Sequence, residues 1–203
     1  MSIVTTPEIK TRGASFGLIR GDIVTPRLDG SEAVALSPIA KWRLTAPLIP
    51  MSYEQAQPWI GAINQLAAPD RFFDARPPGF ALSEYAKANY NGTWQQGEPV
   101  LSSASGNTAN FTGLVADQTF LTRGDYFQIT TADGPELKMC VADSASTSGG
   151  AATVQFEPAL RKTATGVDII NPKCRFRLLD SASYQLRPNR IVDITLEAVE
   201  THG

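Results

Sequence analysis

A chain of 203 residues, 42% of them hydrophobic, can bury a core of its own, so folding requires neither disulfides nor a structural metal. Its formal net charge is -2, and no block of like charges interrupts it, which excludes the basic footprint of a nucleic-acid-gripping domain and any strongly charged substrate surface. With two cysteines (Cys140 and Cys174, read as free thiols) and one histidine, the chain has little for metal chemistry.

In chain order, residues 1–10 lack a basic segment followed by an apolar stretch. No later run approaches the roughly 18 apolar residues of a membrane span. A soluble chain made in a cytoplasm, without membrane insertion, is expected. Trp42, Leu44, Ala46 and Leu48 then alternate with Arg43, Thr45 and Pro47, the period-two pattern of a strand with one buried face. Ser52 and Gln55 have the spacing of a capping box. Behind them Ala56, Trp59, Ile60, Ile63 and Leu66 form one apolar stripe, so a helix is expected over about residues 53 to 66, with Pro58 as a kink. Arg71 to Ala75 reads as a returning strand, and Pro77-Pro78-Gly79 breaks the chain. Residues 79 to 99 read as an irregular connection with aromatic anchors at Tyr85, Tyr90 and Trp94, which either pack inward or line a partner surface.

From about residue 98 the texture changes to short strands separated by Gly, Ser, Thr and Asp. Phe127 and Ile129 alternate with Tyr126 and Gln128. Leu137, Met139 and Val141 alternate with Lys138 and Cys140, and Asp133-Gly134 lies between as a type I′ hairpin turn. Residues 144 to 150 form a loop of small residues, and a strand over residues 151 to 156 stops at Pro158. Cys174, Phe176 and Leu178, then Val192, Ile194, Leu196 and Ala198, form two longer strands joined as a hairpin across residues 180 to 188. The fold expected is mostly β. Residues 1–97 and 171–203 make a β-sandwich carrying one α-helix, and residues 98–170 form an inserted small β-barrel.

Chemistry is harder to find. His202, close to the end of the sequence, would have to serve any histidine-based triad or metal site. Asp125, Asp143, Asp168, Asp193, Glu197 and Glu200 are the acids that could pair for glycoside hydrolysis. Asp125 follows Gly124 before a strand, the usual place for a turn aspartate, and Asp193 and Glu197 lie on a polar strand face. All are read as turn or solvated groups, and Arg123-Gly124-Asp125 as a turn into a strand. No catalytic, cofactor-binding or metal-binding residue is assigned, and no enzymatic activity is expected.

Several short stretches, in order, resemble the distal tail proteins of siphophages. Trp42-Arg43-Leu44 leads to Pro50-Met51 and a helix carrying Ala56 and Trp59, then to Phe72-Phe73-Asp74 with Pro77. Arg123-Gly124-Asp125-Tyr126 opens a strand. Ala142-Asp143, Gly150-Ala151-Ala152-Thr153-Val154 and Glu157-Pro158-Ala159-Leu160-Arg161 follow, then Asn171-Pro172, Phe176-Arg177-Leu178 and a strand ending near Glu197-Ala198. The resemblance spans about residues 20 to 200, and segment 79–99 departs from it. It implies a virion protein of the tail tip, usually a homohexameric ring between the tail tube protein and the baseplate hub, with the tape-measure protein as a further partner. The sandwich would form a belt around the channel, the insert would project outward, and viral DNA would cross the lumen without specific binding. An alternative role, a carbohydrate- or receptor-binding module, would need exposed aromatic residues on one barrel face, near Phe111 or Tyr126.

Overall fold

The computed structural model describes residues 2–20, 23–26, 32–35, 40–179 and 183–201. The chain is mostly β. The first half contains β1 (Ser2–Ile3), β2 (Ser15–Arg20), β3 (Ile23–Pro26), β4 (Glu32–Ala35), β5 (Ala40–Pro47), β6 (Met51–Ser52), α1 (Tyr53–Leu66), β7 (Arg71–Ala75) and α2 (Glu84–Asn89). The middle contains β8 (Val100–Ser105), β9 (Thr108–Thr112), β10 (Thr119–Leu121), β11 (Tyr126–Thr131), β12 (Gly134–Cys140), β13 (Ser144–Ala145), β14 (Ala152–Glu157) and β15 (Ala164–Asp168). The last part contains β16 (Cys174–Leu178), β17 (Ser183–Leu186) and β18 (Ile191–Glu200).

The main sheet joins both ends of the chain, in the order β1-β7-β16-β18-β5-β2, with β17 and β6 also paired to β18. β18 is its spine. Val199 to Thr195 pair antiparallel with Arg43 to Pro47 on one side, while Phe176 and Tyr184 pair with Glu200 and Ile194 on the other. Strict alternation fixes this register: Trp42, Leu44 and Ala46 of β5 and Val192, Ile194, Leu196 and Ala198 of β18 all point to one buried face. β3 and β4 form a separate antiparallel pair.

Helix α1 covers one part of that face with Ala56, Trp59, Ala62, Ile63 and Leu66. Its capping box is complete: Gln55 N–H donates to Ser52 Oγ at 3.4 Å, and Ser52 N–H to Gln55 Oε1 at 3.2 Å. Pro58 lies inside the helix on its exposed side. The expected single helix is corrected to two. Glu84–Asn89 inside segment 79–99 is helical, capped by Ser83 Oγ accepting from Ala86 N–H at 3.2 Å. At six residues it is too short to show a helical period.

The middle strands form a nearly closed barrel-like sheet in the order β15-β11-β12-β14-β9-β8. Its interior is a second core, with Phe111, Phe127, Ile129, Val154 and Phe156 buried. Tyr85 of α2 packs edge-on against Phe120 of β10 at 5.1 Å and belongs to this core, which therefore already begins before residue 98. Gly97 adopts φ +61 beside the Tyr85 hydroxyl, where a Cβ would collide with that oxygen and with Val115.

The β11–β12 hairpin forms where expected, but not with a type I′ turn. Ala132 and Asp133 are the loop residues, and positive φ falls on Gly134 alone, at +119°. The hairpin expected across residues 180 to 188 contains a strand of its own, β17, between β16 and β18; residues 180–182 lie outside the described residues.

Candidate functional site

The acids singled out from the sequence are held by local structure. Asp125 Oδ2 accepts from Thr122 N–H at 2.8 Å and from its hydroxyl at 3.0 Å, and Asp143 Oδ1 accepts from Arg123 N–H at 2.8 Å. Arg123-Gly124-Asp125 is therefore a hydrogen-bonded turn, with Gly124 at φ +95. Asp168 Oδ1 accepts from the N–H groups of Ile170 and Asn171, both at 2.8 Å. Asp193 pairs with Arg187, and Glu197 with Arg43 at 3.3 Å, both at the surface. His202 lies outside the described residues. Among the described residues, no three His, Cys, Asp or Glu side chains gather as a metal-binding group.

Glu200 departs from the solvated reading and is buried. Its Oε2 accepts from Trp42 N–H at 3.1 Å and from the Arg161 guanidinium at 3.4 Å. The same Arg161 Nη2 donates to the Ala40 carbonyl. Burial raises the Glu200 carboxyl above its usual range, against the opposing pull of Arg161. Beyond Arg161, its N–H reaches Glu136 Oε2 at 3.4 Å, and Lys138 Nζ donates to that oxygen at 2.7 Å and to Ala159 O at 3.1 Å. Burial pulls the Lys138 ammonium below its usual range, while Glu136 pulls it back up. Glu136 Oε1 and Arg161 Nη1 are buried and have no hydrogen-bond partner among the described residues.

This ionic chain forms part of a seam between the main sheet and the barrel. Trp42 Nε1 donates to Leu137 O at 3.0 Å, and Arg175 Nη1 to Asp133 O at 3.4 Å. Tyr126, on the outside of the barrel, packs against Trp42 and Phe16, which are themselves stacked at 4.8 Å. Burial at this seam pushes the Tyr126 hydroxyl up. The two thiols are free and buried on opposite sides of the seam, Cys140 in the barrel and Cys174 under the main sheet. Burial raises both, Cys174 strongly, so the reactive thiolate is disfavoured.

The aromatic face expected near Phe111 or Tyr126 is not exposed: Phe111 is interior and Tyr126 lies in the seam. Tyr85 packs inward, whereas Tyr90 and Trp94 are half-buried beside an open hollow with Glu98, Asp168 and Asn171. Sequence pattern left these alternatives open because no periodicity marks the segment.

Two further surfaces stand out. Among the described residues β2 pairs only with β5, and β17 only with β18, so each leaves one edge unpaired. β17 exposes Tyr184 and Leu186, and Leu186 shares a surface depression with Met51, Tyr53 and Ile191 next to the start of α1. The chain matches no protein-family model and no curated protein sequence.

Proposed function

We propose that this chain is a structural ring protein of a phage tail tip, with no enzymatic role. In this reading the main sheet and α1 form the belt domain and the barrel is the outward insert. A homohexamer would join the tail tube protein to the baseplate hub, with the tape-measure protein a further neighbour. The ordered series of short resemblances from Trp42 to Ala198 supports it.

The observation that carries it is the pair of unlike free edges. Along β17-β18-β5-β2 the two outermost strands have no outer partner among the described residues. Unlike edges on one subunit favour head-to-tail contact, and head-to-tail contact closes into a ring when the rotation per copy is right. The net charge of -2 suits a conduit that lets phosphates pass without holding them. Among the described residues no helix is long and apolar enough to cross a membrane.

Two measurements test the reading. Negative-stain electron microscopy of the purified chain should show rings, and Leu186→Asp or Tyr184→Asp should leave monomers that melt like the parent. Quantitative mass spectrometry of purified tails should find the chain at a multiple of six per particle. Its absence from tails overturns the proposal.

A further inference from the structure

The hollow beside Trp94 is built from two loops. The Asn91-Gly92 turn, with Gly92 at φ +81, folds the chain back so that Tyr90 and Trp94 bridge, their rings 5.3 Å apart at 66°. Behind Trp94 sits Tyr85, with ring centroids 6.2 Å apart. Tyr85 is locked: its hydroxyl donates to Gly97 O and accepts from Val115 N–H at 3.0 Å. Opposite is the turn at Asp168, whose Oδ1 accepts from two backbone N–H groups, while Oδ2 has no hydrogen bond among the described residues. Asp168, Asn171 and the exposed Glu98 complete the wall.

An indole held by a buried tyrosine is a rigid apolar platform, and it costs little ordering entropy to use. Around it stand acceptors and an amide at the rim, the mix expected where a ligand has an apolar face and a polar perimeter. A pyranose ring has both, with C–H groups on its faces and hydroxyls around its edge. Carboxylates accept hydroxyl hydrogen bonds more strongly than neutral groups do. The same two carboxylates repel anions, so uronic acids and phosphorylated sugars are disfavoured. The hollow is open rather than enclosed, which fits one or two rings of a longer chain.

We propose that Trp94, Tyr90, Glu98, Asp168 and Asn171 form a weak binding site for uncharged saccharides. The site does not depend on ring assembly. In a ring, several copies would add their weak contacts into avidity.

The test is saturation-transfer NMR on the full chain with four probes: maltotetraose, an N-acetylglucosamine tetramer, a galacturonic acid tetramer and choline chloride. At least one of the first two should bind and the galacturonic acid tetramer should not. Trp94→Ala should weaken binding by about tenfold, the loss expected for one stacked ring. Glu98→Gln, at an exposed position that leaves the fold intact, should weaken it by about threefold. Thermal melts separate loss of the site from loss of fold in the Trp94 variant. If neither neutral saccharide binds, or binding survives Glu98→Gln and Asn171→Ala unchanged, the site is wrongly assigned. If choline binds in their place, the hollow is a cation site and the ligand class is wrong.

Discussion

Tyr126 and Phe127 are neighbours on one strand, yet they serve different cores. Phe127 points into the barrel, where it meets Phe111 and Phe156 edge-on at 6.1 and 5.7 Å. Tyr126 points out of the barrel and onto Trp42 of the main sheet. The barrel encloses its own apolar lining. The main sheet has a single buried face, covered partly by α1 and partly by Tyr126, Leu137 and Met139 from the outer side of the barrel. The barrel has an apolar cluster of its own, whereas part of the main sheet's covering comes from the barrel's outer side.

Separating the two should have the largest effect. Residues 82–170 alone should melt cooperatively. The same chain with that segment replaced by a short Gly-Ser linker should not. Cooperative melting of the second product, followed by circular dichroism, would show that the main sheet is self-sufficient. Next in size, Trp42→Ala should cost about 4 kcal/mol in urea unfolding, because it removes a buried ring at the seam. Arg161→Met should cost about 3 kcal/mol, since it strands the buried Glu200 carboxylate. Arg43→Met should change stability by less than about 0.5 kcal/mol, because its Glu197 partner pair is at the surface.

Glu200 makes the stability of the seam depend on pH. Its folded carboxyl titrates above the ordinary value of 4.5, so between that value and the raised one the native state holds more proton than the unfolded chain. Its contribution is therefore full below pH 4.5 and falls away as pH rises through the raised value. Glu200→Gln should remove that downward slope from a stability–pH profile; an unchanged slope would place its origin elsewhere. A more local effect concerns α1 alone: Ser52→Ala should cost about 1 kcal/mol by loss of the cap, read from the shift in denaturation midpoint.

Legibility in the sequence followed the same division. Elements with one wet and one dry face were readable, because β5 and β18 alternate and α1 carries a capping box and a stripe. β12 was not. Lys138 and Glu136 alternate with Leu137 and Met139 and so resemble a solvated face, yet they point into the barrel and are buried. A strand sandwiched between two cores has no wet face, and one sequence cannot show what covers the second side. Segment 79–99 was opaque because six helical residues, a Gly turn and four aromatics produce no period. The hollow beside Trp94 depends on residues 168–171 meeting residues 90–98, a juxtaposition that only the closed barrel creates.

The place of β18 sets an order of events during synthesis. β5 and β7 leave the ribosome long before the strand that will lie between β5 and β16 exists, with Trp42, Leu44 and Phe73 still lacking their neighbours. The whole barrel is made in that interval, so the outer wall that carries Tyr126 and Leu137 exists to cover Trp42 before β18 arrives to complete the sheet.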